Sequence, residues 1–168
     1  MKKFCLYAAA VFVSFITVQN VRAQAFSGDG DAKFQLGPKF QENGTGIVGS
    51  YDYGVGPNLS VGVWSSYVLG VDEVLNASFG NRFDIRARLN ANLANVIDDG
   101  GDFDVYPGLS LGLKNFGGHV GARYFFSQGF GVYTEFSAPI ARYNTDVLSP
   151  AEELLNQFMF SFGASFNL

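Results

Sequence analysis

Cysteine is almost missing from this sequence. Of 168 residues only Cys5 carries a thiol. It lies inside the first apolar stretch, too early for lipoprotein processing. The rest of the chain therefore has no disulfide framework and no cysteine-based metal site. Charge is also scarce, at 15% of residues against about 25% in soluble domains. Beyond the amino-terminal stretch no apolar run approaches the roughly 20 residues of a membrane helix, which excludes a helical membrane protein. Cations are fewer than anions, 11 against 15. Three of the 11 (Lys2, Lys3 and Arg22) precede residue 24, so the remainder carries a formal charge of −7. That balance argues against nucleic acid as a partner. Histidine occurs once, so any histidine-dependent catalysis must use His119.

Glycine and aromatics are plentiful instead, with 21 glycines and 16% Phe, Trp and Tyr. A disordered chain would lack the aromatics. This composition suits short strands facing lipid. The amino terminus reads as a secretory signal: Lys2 and Lys3, then an apolar stretch from Phe4 to Val18, then Val21-Arg22-Ala23 with small residues at −3 and −1. Cleavage is expected after Ala23, giving a signal peptide over 1–23 and one barrel domain over 24–168.

The dominant pattern is strict alternation, the period of a strand. Eight segments show it: 33–40, 45–53, 59–69, 82–93, 105–114, 119–126, 130–140 and 157–168. The fourth is clearest. Phe83, Ile85, Ala87, Leu89, Ala91 and Leu93 share one face, and Arg82, Asp84, Arg86, Arg88, Asn90 and Asn92 the other. A soluble barrel would bury its apolar face. Fourteen aromatics on that face, among them Tyr51, Phe136, Phe160 and Phe162, are too many for a small interior. The opposite face carries small and charged residues, which suits the narrow, filled lumen of eight strands. The apolar face therefore looks outward, to lipid.

With both termini in the periplasm, Phe34, Tyr53, Phe126, Phe130 and Phe166 fall near the inner rim. Phe40, Tyr67, Phe83 and Phe158 fall near the outer rim, as paired aromatic girdles require. Tight turns are expected at 54–58 and 127–129. A longer turn is expected at 95–104, a short outer loop at 115–118, and long outer loops at 70–81 and 142–156. Ser149-Pro150-Ala151-Glu152 reads as a capping box with proline at the first helical position, predicting one or two helical turns.

The fold class is thus all-β, an eight-stranded antiparallel up-and-down transmembrane barrel with a cleaved signal peptide. The chain resembles small outer-membrane barrels of the OmpX and OmpA membrane-domain type. Val105-Tyr106-Pro107-Gly108, Leu113-Lys114-Asn115-Phe116-Gly117-Gly118-His119 and Arg123-Tyr124-Phe125 are also similar to an uncharacterised family of short Bacteroidota outer-membrane barrels. The terminal Phe166-Asn167-Leu168 is similar to the carboxy-terminal signal read by barrel-assembly machinery, although such signals more often end in Phe. The resemblance implies fold and an outer-membrane location. It implies partners in the surrounding lipid and lipopolysaccharide, and in the assembly machinery through 157–168. It implies no catalytic residue and no cofactor.

The candidate site is a lumen network of Arg82, Asp84, Arg86, Arg88, Arg123, Glu135, Asp52 and Lys114, with Lys33 and Lys39 also facing inward. Ions buried alone cost several kcal/mol, so these must pair or hold water. Seven inward cations against Asp52, Asp84 and Glu135 leave an excess of positive charge. Arg123 and Glu135 are expected to pair across the 127–129 turn. Pairing across 115–118 would set Gly108 opposite Phe125 and Ser110 opposite Arg123.

Asp98-Asp99-Gly100-Gly101-Asp102-Phe103-Asp104 has some look of a calcium loop, yet it lacks the closing Glu and reads first as a solvated turn. Gly54, Gly56 and Gly62 make no dinucleotide fingerprint, since no helix follows. Asp72, Glu73, Asp146, Glu152 and Glu153 make the outer loops acidic; a solvated surface is the simple reading, and divalent bridging to lipopolysaccharide the other. Three functions follow from the sequence. The first is a non-enzymatic outer-membrane barrel with a filled lumen, acting through loops 70–81 and 142–156. The second is a narrow channel or small-ligand carrier with a cationic lumen. The third is a lipid A-modifying enzyme using His119.

Overall fold

In the computed structural model, residues 24–71, 78–97, 101–143 and 149–168 are described. The signal peptide expected at 1–23 lies outside them. Eight strands form one closed antiparallel barrel, each paired with the next in sequence: β1 (Ala32–Gln41), β2 (Gly44–Gly56), β3 (Leu59–Val71), β4 (Phe83–Ala91), β5 (Phe103–Gly112), β6 (Asn115–Phe125), β7 (Phe130–Arg142) and β8 (Met159–Asn167). The seam closes β1 on β8, with Lys33 opposite Asn167 and Phe34 opposite Phe166. Closure leaves no strand edge exposed. The start of β1 and the end of β8 therefore lie at one rim, called here the terminal rim. The other is the far rim.

The alternation in the sequence is the wall of the barrel. Leu36, Ile47, Tyr51, Val63, Leu89 and Phe136 are all exposed outside, each at least 42%. Their neighbours Gln35, Ser50, Asp52, Trp64, Arg88 and Glu135 are buried inside. The fold is inside-out by soluble standards, because its polar side chains form the interior. The aromatic bands are also present. Phe34, Phe166, Phe130 and Phe126 touch in series near the terminal rim. Tyr67, Phe79 and Phe83 touch near the far rim.

Two hairpins differ from the sequence reading. The β5–β6 connection is the two-residue turn Leu113-Lys114, and 115–118 belongs to β6. Gly108 therefore lies opposite His119 and Ser110 opposite Gly117, not Phe125 and Arg123. Glycine pairs there read as a turn, but they serve as thin wall beside bulky interior residues. A Cβ on Gly121 would enter the ring of Tyr106, its cross-strand partner, and one on Gly108 would strike the His119 imidazole. The large-against-small packing holds with different partners. In the β6–β7 hairpin, Phe126 closes on Phe130 around 127–129, which sets Arg123 opposite Tyr133 and Gly121 opposite Glu135. Arg123 and Glu135 do not pair. The turn is centred one residue earlier than that pairing needs.

Other turns are tighter than expected. Pro57-Asn58 alone joins β2 to β3. Glu42-Asn43 joins β1 to β2, with Asn43 at φ 58°, a left-handed conformation that asparagine tolerates. Among the described residues three one-turn helices sit at the rims: α1 (Phe79–Arg82), α2 (Ala94–Ile97) and α3 (Pro150–Glu153). The last starts on Pro150, as its capping pattern predicts.

Candidate functional site

The lumen is organised by β4, whose inward residues descend from the far rim in the order Asp84, Arg86, Arg88, Asn90. Nearest the far rim, Arg86 pairs with Asp84 at 2.6 Å, both 2% exposed. The Arg86 guanidinium lies 4.8 Å from the Trp64 ring centre, and the Lys39 ammonium lies 5.7 Å from the same ring. Lys39 donates to Ser66 Oγ at 2.9 Å. In the middle, Arg88 donates to Glu135 at 2.8 Å and to Asn90 Oδ1 at 3.1 Å. Its Nε is 3.2 Å from Asp52 Oδ1, an ion pair without hydrogen-bond geometry. His119 Nε2 is 2.7 Å from the same Asn90 oxygen. That oxygen already accepts from Arg88, so the ring nitrogen is the donor.

Toward the terminal rim, Arg123 donates to Asp104 at 2.8 Å and to Asn92 at 2.7 Å. The other Asp104 oxygen accepts the backbone N–H groups of Leu93 and Ala94, at 2.9 and 2.8 Å, and so fixes the start of α2. Tyr106 is held between Arg88 and Arg123, 5.6 and 4.9 Å from its ring centre. Lys33 pairs with Asp31 and lies over the Phe125 ring. Cation–π contact of this kind is worth most where water is excluded.

Six of the eight predicted network residues (Asp52, Asp84, Arg86, Arg88, Arg123 and Glu135) are buried together in the lumen. Arg82 and Lys114 are not among them. Arg82 lies in α1, donating to the carbonyls of Val68 and Leu69 at 2.9 and 2.6 Å. Lys114 lies in the β5–β6 turn, donating to the Gly80 carbonyl at 2.9 Å. Alternation extended past a strand end placed both inside, but the chain leaves the wall before reaching them. The sequence reading missed Asp31 and Asp104. Asp31 just precedes the first strand. Asp104 stands in an acidic run that reads as solvated turn, although its spacing from Tyr106 is the inward period.

These changes overturn the cationic excess. Among the described residues five cations (Lys33, Lys39, Arg86, Arg88, Arg123) share the interior with five carboxylates (Asp31, Asp52, Asp84, Asp104, Glu135). The acidic run considered as a calcium loop ends in Asp104, which is fully buried against Arg123. Asp98 and Asp99 lie outside the described residues.

Both mouths are stoppered by apolar side chains. At the terminal rim Ala25 and Phe26 fold into the opening against Ala94 and Phe125. The Ala25 N–H donates to the Gly101 carbonyl at 3.0 Å. At the far rim Leu154 and Leu155, each 0% exposed, cover the opening. Just inside lie Val48, Trp64 and Met159. Donors from separate strands grip that lid by its backbone. Asn115 and Arg86 donate to the Leu155 carbonyl at 2.8 and 3.3 Å, and Arg142 donates to the Asn156 carbonyl at 3.1 Å. Between the stoppers a cavity lined by Trp64, Arg86, Arg88, Ser110, His119, Glu135 and Ser137 has about 10 Å³ open to the centre of a water molecule. That is room for roughly one water.

An apolar skin around a buried, polar and charged interior defines the class: small eight-stranded β-barrels of the transmembrane type. Solved structures of that type are similar. A de novo designed transmembrane β-barrel matches with TM-score 0.55 at 14% identity, over 84% of this chain and 98% of the design. The N-terminal β-barrel domain of Pseudomonas aeruginosa OprF matches with TM-score 0.56 at 10% identity, over 84% of this chain and 100% of that domain. At such identities the likeness is one of fold. Comparison with curated proteins gives no match. Residues 15–168 match a family of unknown function, DUF6646, and the chain belongs to that family.

Proposed function

We propose that this chain is an integral outer-membrane protein, exported by a cleaved signal over 1–23, whose barrel is closed to solutes. Its role is in envelope structure or surface interaction through the far-rim loops. The terminal rim faces the periplasm. One observation carries the closed reading: five cations balance five carboxylates between two apolar stoppers, and the cavity beside His119 has room for about one water. An anion path would need surplus positive charge and a continuous opening. The neighbouring structures support the membrane reading through the fold they share.

An enzymatic role is not favoured. Ser137 lies opposite His119 across β6 and β7, but His119 is 6% exposed inside the wall and bonded to Asn90. A lipid substrate lies on the other side of that wall. The channel reading is tested in planar bilayers with the purified mature chain. The expected record is flat, and steady unitary current steps would overturn the closed barrel. Lipid A mass spectra from cells with and without the protein are expected to be identical.

A further inference from the structure

All eight basic residues after residue 24 lie in the described part of the chain, and their distribution is lopsided. Five are in the lumen, and the other three (Arg82, Lys114 and Arg142) all stand at the far rim. The terminal rim has none; Asp29 and Asp102 lie there. The three cations are also neighbours. Lys114 Nζ donates to the Gly80 carbonyl and, at 3.3 Å, to Asn81 Oδ1, beside Arg82. The Tyr143 N–H donates to the Lys114 carbonyl at 3.2 Å, and Arg142 pairs with Asn115 across β6 and β7. The result is one arc running from the start of β4 to the end of β7.

We infer that this arc is a binding site for the phosphate groups of an outer-leaflet glycolipid, one phosphorylated lipid A seated against the barrel. The inference rests on the outer-membrane orientation proposed above. Arg82 and Lys114 have no carboxylate within ion-pair distance among the described residues. Among the described residues their hydrogen bonds go to uncharged oxygens. Among the described residues Arg142 faces one carboxylate, Glu153 at 3.8 Å, with both side chains nearly half exposed. Guanidinium and ammonium donors form short, charge-assisted bonds to phosphate oxygens. Exposed apolar side chains stand beside the cations: Phe79, Leu113 and Ile140 are at least 64% exposed, a surface for acyl chains next to a surface for phosphate. A soluble anion would use the cations but not that skirt; a neutral lipid would use the skirt alone.

The test is native mass spectrometry of the mature chain in detergent micelles, with diphosphoryl lipid A, monophosphoryl lipid A or phosphatidylglycerol added. The expected result is one retained diphosphoryl lipid A, weaker retention of the monophosphoryl form, and weaker still of phosphatidylglycerol. The triple variant Arg82→Gln, Lys114→Gln, Arg142→Gln should bind about 10-fold less tightly, since charged hydrogen bonds are removed. Should the triple variant misassemble, shown by loss of the heat-dependent gel shift, Lys114→Gln alone on its turn should still weaken binding about 3-fold. Unchanged affinity in a folded variant would overturn the site. Equal retention of phosphatidylglycerol would overturn its selectivity for lipid A. Orientation is read separately by labelling Glu42→Cys, in the exposed β1–β2 turn of the same rim, on intact cells with an impermeant maleimide. Absence of label would remove the outer-leaflet source while leaving the micelle measurement to stand.

Discussion

Arg88 and Arg123 show how differently two buried cations can be supported. Arg123 has one carboxylate, Asp104, which also fixes the start of α2. Arg88 has two, and one of them, Asp52, makes no hydrogen bond. Breaking a buried pair from one side costs about 3–5 kcal/mol, because the remaining charge is stranded. Asp104→Asn should therefore lower unfolding stability by about that much in a urea titration in micelles. Asp52→Asn should cost under about 1 kcal/mol, because its desolvated carboxylate is removed while Glu135 still holds Arg88. Equal losses would show that the two carboxylates carry equal weight. Gly121→Ala tests the packing between them: the new methyl meets the Tyr106 ring and should cost about 1–3 kcal/mol. Gly129→Ala, with open space around it, should stay within about 0.5 kcal/mol. At this scale the sequence revealed which side chains point inward along the middle of each strand, because that needs only the period of two, but not at strand ends such as Asp31, Arg82, Asp104 and Lys114. It did not reveal their partners.

Partners depend on the elements, and above all on where each hairpin turns. Sliding one strand past another by two residues preserves every inward face and changes every pairing. That is why Glu135 was legible as a lumen acid but not as the partner of Arg88. The glycines at 117 and 118 misled for the same reason, since glycine marks both turns and thin walls. The lid at 154–156 was legible as a helical loop, yet nothing in its composition said that it would fold inward. Its grip is by backbone carbonyls, which any sequence supplies. Its seating relies on Leu154 and Leu155, each worth roughly 1.5–3 kcal/mol of burial. Leu155→Asp should unseat the lid without opening the barrel. Protease added to intact cells should then cut within 150–157, while the heat-dependent gel shift of the barrel persists. Resistance equal to wild type would mean the lid is held by its hydrogen bonds alone.

For the whole molecule, the sequence supplied the architecture because a barrel wall repeats one rule eight times. The charge state of its interior depended on the few residues at strand ends, where the rule lapses. Moving Arg82 and Lys114 out and Asp31 and Asp104 in changed a cationic lumen into a neutral one. The three cations outside the interior gather on one rim. Increasing salt should therefore weaken lipid A retention at the exposed arc and leave unfolding stability nearly unchanged, because buried pairs are poorly screened. A parallel salt titration of both quantities checks this.

The chain has one tryptophan, and it is Trp64, clasped inside the barrel between Lys39 and Arg86. Its fluorescence is therefore an internal lamp shielded by the wall. Brominated acyl chains, which dim indoles on a barrel's lipid face, should leave it bright. Iodide should leave it bright as well until the lid is unseated. Emission from this protein reports the integrity of its interior and carries no information about depth in the bilayer.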